Sequence, residues 1–248
     1  MIIVGHRGAK GEAPENTVAG FAHPYQEGIR NFELDLQLSK DGHLMVIHDK
    51  TTNRTTGHAA KVAELTAAEL GDLDAGLHVP PWHEPAPVPT LQNILAVCPE
   101  FQSIQLEIKT DTKPRLNILC NRLVELIQHE KLFGRVVVTS SNSWVLQQIK
   151  RLNGSIDTGY VAEKRFPGPI QTALKLNCRM LVLYYKLADE ELMTEARKAG
   201  LEVSTWTVNM IPDVLRLQEL GVHSVITDYP CHVLKYLKTQ QPHLTHAQ

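Results

Sequence analysis

Nine short apolar runs punctuate the chain, centred near Ile3, Leu34, Val46, Leu106, Val137, Gly159, Val182, Val203 and Val225. Each has the length and turn-residue borders of a β-strand, and most of the segments between them repeat apolar residues at helical spacing. Helices are predicted over roughly Asn16 to Gly28, Thr90 to Val97, Pro114 to Glu130, Asn142 to Leu152, Pro169 to Leu176, Ala188 to Ala199, Ile211 to Leu220 and Pro230 to Leu237. Asn209 is a start signal, and Gly200 and Gly221 are stops. The run at Val46 differs from the rest. Asp41-Gly42 joins it to its predecessor by a tight turn, so the two pair antiparallel, whereas parallel neighbours need a crossover of about a dozen residues or more. Without it, eight strand-and-helix units remain, the number that closes a (β/α)8 barrel. A doubly wound open sheet is the alternative, but the GxGxxG turn that usually marks it is absent.

The expected fold is therefore α/β: one TIM-barrel domain, residues 1–248, with a small inserted subdomain after the second strand. The insertion, about 50–89, is too long for an ordinary βα loop. A short helical turn is expected near Thr66 to Leu70, followed by the proline-rich, irregular HVPPWHEPAPVPT. Because βα loops lie over the active face of such a barrel, the insertion is placed to cap a pocket. The tail after Lys238 is expected to fray, with His243 and His246 in solvent.

Composition narrows the function by exclusion. With 25 basic and 27 acidic residues and no basic cluster, neither nucleic acid nor an anionic membrane is an expected partner. Cys98, Cys120, Cys178 and Cys231 are far apart and form no CxxC pair, which reads as reduced thiols. No charged and then apolar leader precedes the first strand, and no apolar run approaches the roughly 18 residues of a membrane span, so a cytoplasmic location is expected. Specificity must then come from a local site for a small molecule.

The chemistry concentrates at strand ends. Alternation in Phe32-Glu33-Leu34-Asp35-Leu36 puts Glu33 and Asp35 on one face and the apolar residues on the other. Two carboxylates on a buried face cost several kcal/mol unless something positive lies between them. With Asp41 and Gly42 as the central turn residues, the hairpin brings His48 opposite Asp35. The next barrel strand ends in Leu106-Glu107-Ile108-Lys109, with Glu107 and Lys109 on one face, and the first ends in Gly5-His6-Arg7-Gly8. Three carboxylates, Glu33, Asp35 and Glu107, thus converge, and hard oxygen ligands favour Mg2+ or Ca2+ over zinc. The alternative is an internal salt-bridge network with Arg7 and Lys109. A cation, Arg7 and Lys109 together make a pocket suited to phosphate. His6 and His48 can divide acid and base work around neutral pH, which fits phosphodiester cleavage. His23, His58, His78, His83, His129, His223 and His232 have no such company and receive no role.

These residues lie in motifs that resemble the glycerophosphodiester phosphodiesterases, in their bacterial-type cytosolic form. The motifs are HRGAKGEAPENT from His6, FELDLQLSKDGHLMVIHD from Phe32, Asn53-Arg54-Thr55-Thr56-Gly57, VPTLQNIL, LEIK, STWTVN from Ser204 and GVHSVITDYP from Gly221. They run in order over nearly the whole chain. The resemblance implies a TIM barrel with a small subdomain inserted after the second strand. It also implies metal ligation by Glu33, Asp35 and Glu107, acid–base work by His6 and His48, and phosphate contact by Arg7 and Lys109. Trp206 would line the glycerol side. Asn16 matches as well, as a further substrate-binding residue, although its place before a helical run equally suits an N-cap. One divalent cation, Mg2+ or Ca2+, is the implied cofactor. Glycerol 3-phosphate and an alcohol are the implied products, with water or the neighbouring glycerol hydroxyl as nucleophile. Members often carry serine and then phenylalanine where this chain has Ser140-Ser141-Asn142-Ser143-Trp144, which alters the expected wall on the leaving-alcohol side.

Three rival functions would leave different marks on the sequence. An amidohydrolase would show His-x-His where this chain reads His6-Arg7-Gly8. A lysophospholipase D-like enzyme for larger lipids would call for a long apolar lip, which the sequence does not display. A non-catalytic phosphodiester-binding protein would lack one of the two histidines or three carboxylates, and all five are present.

Overall fold

The computed structural model describes residues 1–77 and 82–240. His78, His243 and His246, and part of the proline-rich run, lie outside the described residues. All nine predicted runs are strands: β1 (Ile2–His6), β2 (Asn31–Leu38), β3 (Leu44–Val46), β4 (Ser103–Ile108), β5 (Val136–Ser140), β6 (Asp157–Ala162), β7 (Met180–Tyr184), β8 (Glu202–Trp206) and β9 (Ser224–Thr227). Eight of them run parallel in the order β1-β9-β8-β7-β6-β5-β4-β2, and pairing of Gly5 with Phe32 and of His6 with Glu33 closes the barrel.

The helices are α1 (Val18–Gln26), α2 (Asn53–Thr56), α3 (Ala67–Gly71), α4 (Leu91–Val97), α5 (Lys113–His129), α6 (Ser143–Leu152), α7 (Pro169–Lys175), α8 (Glu190–Lys198), α9 (Ile211–Glu219) and α10 (Pro230–Gln240). Among the described residues, none is long and apolar enough to cross a membrane. Two expected helix starts resolve differently. Thr17, not Asn16, caps α1 by accepting from Gly20 N, and Met210 rather than Asn209 occupies the N-cap of α9. Both asparagines have other work in the site.

Strand alternation sorts the core into two layers. Phe32, Leu34 and Leu36 of β2 and Ile104, Leu106 and Ile108 of β4 join the large cluster between barrel and helices. A smaller cluster of Val4, Val137, Val161, Met180, Val182 and Ile226 packs separately from it. Polar pairs sit in register with that cluster, Gln105 beside Val137 and Ser204 beside Val182: Gln105 Nε2 donates to Ser204 Oγ at 3.1 Å, and Ser224 Oγ to Ser204 Oγ at 2.8 Å.

The hairpin departs from expectation by one residue. Leu36 pairs with Val46 and Leu38 with Leu44, so Ile47, not His48, stands opposite Asp35 and donates its N–H to the Asp35 carbonyl at 3.1 Å. The turn holds three residues rather than two. Ser39 N–H donates to the His43 carbonyl, Ser39 Oγ accepts from His43 N, and Gly42 takes the left-handed φ of 85° that such a loop needs. His48 lies just past β3, free of the ladder.

Between β3 and α4 the chain builds a satellite cluster of Met45, Ile47, Val62, Leu70, Ala75 and Val88. The predicted helical turn is α3, held by a reciprocal capping box between Thr66 and Glu69. The short helices α2 and Val62–Glu64 were not legible in the sequence.

Candidate active site

A cavity of about 240 Å3 opens at the C-terminal ends of the barrel strands. His6, Arg7, Glu33, His48, Glu107 and Lys109 line one side, and Trp206, Glu163 and Ser141 contribute to the rest. Asp35 lies against this cavity rather than in its wall, 1% exposed.

Register explains the convergence. Asp35 of β2 pairs with Glu107 of β4, and His6 of β1 pairs with Glu33. One carboxylate oxygen from each of Glu33, Asp35 and Glu107 lies within 4.8 Å of the others. Lys109 Nζ approaches both Asp35 Oδ1 and Glu107 Oε1 at 2.8 Å, and Arg7 Nε approaches Asp35 Oδ2 at 3.0 Å. These are ion pairs by distance. Their angles still leave Asp35 Oδ1 and Arg7 Nε without a proper hydrogen bond among the described residues, as is Glu33 Oε1.

The salt-bridge alternative can be weighed by charge. The linked network holds five carboxylates, Glu15, Glu33, Asp35, Asp49 and Glu107, against three cations, Arg7, Arg54 and Lys109. Two negative charges are in excess. Burial, followed by the charges of Asp35 and Glu107, holds the Glu33 carboxyl well above the usual carboxylate range. Burial also raises Glu107, against Lys109. Asp35 goes the other way: burial would raise it, but Lys109 and Arg7 together hold it low. An all-oxygen cluster with an orphaned buried carboxylate oxygen and uncompensated charge fits one hard divalent cation.

Both histidines are oriented by carboxylates. His6 Nδ1 lies 2.5 Å from Asp228 Oδ1, with its Nε2 3.8 Å from Glu33 Oε2. His48 Nδ1 lies 2.6 Å from Asp49 Oδ1. If each Nδ1 carries the proton, each Nε2 is left as the free lone pair, which is the pattern of an acid–base imidazole. Burial lowers His6 against the hydrogen bond to Asp228, and lowers His48 against the charge of Asp35, so neutral imidazoles are favoured at pH 7.

A supporting layer was not anticipated from sequence. Asn209 Nδ2 donates to Asp228 Oδ2 at 2.8 Å, and its Oδ1 accepts from Asp228 N at 3.0 Å. Arg54 grips Glu15 with two donors, at 2.7 and 2.8 Å, and Asp49 at 2.5 Å, while Arg7 reaches Glu15 at 2.8 Å. Asn16, in the left-handed region at φ 55°, donates Nδ2 to Asp35 Oδ2 at 2.8 Å. It is turned onto a carboxylate and is not part of the cavity wall. Gly8 lets this loop close: its φ is +87°, and a Cβ there would sit 2.3 Å from the Gly20 carbonyl. The divergent segment after β5 gives a polar wall, because Ser141 lines the cavity while Trp144 packs with the helical core.

If Asp228 positions His6, Asp228→Asn should lower kcat by roughly 10²-fold with KM nearly unchanged, because Asn209 Nδ2 claims the one amide oxygen and the amide NH2 is then turned toward Nδ1, favouring the wrong tautomer. An equal fall in affinity and no change in kcat, measured by steady-state kinetics, would contradict this.

Barrel, acidic cluster and paired imidazoles define a phosphodiester hydrolase. The comparisons with known proteins agree. Residues 6–232 match the profile of the glycerophosphoryl diester phosphodiesterase family, and the chain belongs to that family. It is 31% identical over 230 residues to a glycerophosphodiester phosphodiesterase of Caldanaerobacter subterraneus subsp. tengcongensis, covering 92% of this chain and 94% of the relative. A phosphodiesterase of Oleispira antarctica, solved with the product sn-glycerol-3-phosphate, superposes with a TM-score of 0.87 at 26% identity, covering 96% of this chain and 97% of that one. A lysophospholipase D of Mus musculus is 27% identical over 272 residues, covering 94% of this chain and 85% of the relative.

Proposed function

We propose that this enzyme hydrolyses glycerophosphodiesters such as glycerophosphocholine and glycerophosphoethanolamine to glycerol 3-phosphate and the free alcohol. The observation that carries this reading is the acidic trio beside two imidazoles, each oriented by its own carboxylate. Glu33, Asp35 and Glu107 would hold one divalent cation, Mg2+ or Ca2+, which when bound supplies Lewis-acid stabilisation of phosphate charge. Arg7 and Lys109, at the edge of the same cavity, bind phosphate oxygens and offset the charge that builds up in the transition state. One of His6 and His48 takes the proton of the nucleophile, water or the adjacent glycerol hydroxyl. The other delivers a proton to the departing alcohol oxygen. Trp206 offers an apolar face to the glycerol carbons, and Asn16 fixes Asp35 from behind.

The segment 50–89 belongs to the same domain in this reading and flanks the active face, since its Arg54 reaches Glu15 and Asp49. The cytoplasm is the compartment that four unpaired thiols fit.

Glu163 gives the alcohol side its charge. It is an exposed carboxylate in the cavity wall just past β6, two strands round from β4. A cationic head group is therefore favoured over a neutral one. Release of glycerol 3-phosphate from glycerophosphocholine and from glycerophosphoglycerol tests this. Glu163→Gln should raise KM severalfold at most for the choline substrate alone, the ~1 kcal/mol upper end for an exposed ion pair. No release from either substrate would overturn the proposed activity, and equal KM values in both proteins would overturn the head-group preference alone.

A specific observation favours the lipid reading as a second activity. Phe166 is 88% exposed in the loop after β6 and Met210 is 64% exposed after β8, so the active face has apolar projections that sequence patterning did not show.

A further inference from the structure

We propose that Glu12, His23 and Cys231 form a second metal site, selective for a borderline or soft divalent cation such as Zn2+. The three residues come from the loop after β1, from α1 and from the first turn of α10, and one ligand atom of each lies within 4.8 Å of the others. All three are half-buried, and none has a part in the hydrolytic mechanism.

The donor set decides the ion. A thiol and an imidazole with one carboxylate suit Zn2+ or Co2+ and disfavour Mg2+ and Ca2+, the reverse of the all-oxygen cluster at the barrel mouth. The geometry is close to ligation already. Bond lengths of about 2.3 Å to sulfur and 2.0 Å to nitrogen at a tetrahedral angle put the two ligand atoms about 3.5 Å apart. Cys231 Sγ and His23 Nε2 stand at 3.9 Å. Glu12 is held in place as well, since its two oxygens accept from Cys231 N at 3.2 Å and His232 N at 3.0 Å, and each oxygen keeps a lone pair for an ion.

The site would clamp the catalytic loops together. Gly11 N–H donates to the Asp228 carbonyl at 2.8 Å, and Asp228 is the partner of His6. An ion bridging Glu12, His23 and Cys231 would tie the loop after β1 to the start of α10.

Cobalt titration of the purified full-length protein tests the proposal. A thiolate-to-cobalt charge-transfer band should appear in the near ultraviolet, persist in Glu107→Gln and vanish in Cys231→Ser. Competition with Zn2+ should show affinity falling on the order of 100-fold in both Cys231→Ser and His23→Gln, at least the loss seen when a supporting group of a metal site is removed. Circular dichroism checks that the variants are folded, and His23→Gln keeps the test open if Cys231→Ser is not. Absence of the band in the wild-type protein, its survival in a folded Cys231→Ser, or Zn2+ binding that follows Glu107 alone would overturn the proposal.

Discussion

Alanine in place of His48 should lower kcat on glycerophosphocholine by about 10²- to 10⁴-fold, the contribution of one positioned acid or base. The side chain is one-third exposed and sits beyond the β3 ladder, so its removal opens no core cavity and the fold should stand. His6→Ala should lose activity to a similar degree. That side chain is more buried, but Asp228 would keep both hydrogen bonds to Asn209. Because the two imidazoles serve one displacement as a unit, the double variant should be little worse than the less active single one. A fall confined to KM would mean that the histidines bind substrate and do not move protons.

Asp35→Asn carries the other large effect, and here activity and stability should separate. Asp35 faces Arg7, Lys109 and Asn16 at once, at 1% exposure. Breaking a buried ion pair by removing one partner typically costs about 3–5 kcal/mol. Arg7 keeps Glu15 and Lys109 keeps Glu107, and loss of one negative charge relieves Glu33, so the cost in urea denaturation should fall below that range. Turnover should nevertheless drop on the order of 10³-fold, because a carboxylate of the cation cluster is gone. A stability loss beyond that range with turnover intact would make Asp35 a structural residue only.

Much of the fold could be read from periodicity. The alternation in Phe32 to Leu36 set two carboxylates inward and three apolar residues outward, and strand β2 keeps that arrangement. Strand β4 follows the same rule, which is why Glu107 meets Asp35. Three features escaped for physical reasons. Hairpin register depended on a Ser39 side-chain hydrogen bond and a third loop residue, which the Asp41-Gly42 pair does not announce. Asn16 and Asn209 looked like helix caps because the local signal is the same, yet their amides serve Asp35 and Asp228. Asp49, Asp228, Glu15 and Arg54 lie within the recognised motifs, but the sequence assigned them no role. Glu15 and Arg54, and His6 and Asp228, meet across distant loops, and no local pattern encodes such pairings.

The account rests on three carboxylates from β2 and β4 holding a cation within reach of two imidazoles. The most direct check is glycerol 3-phosphate release from glycerophosphocholine before and after thorough EDTA treatment, with Mg2+ or Ca2+ then restored. Loss of turnover on chelation and its return with the added ion is the predicted result. Undiminished turnover in the metal-free protein would contradict the account.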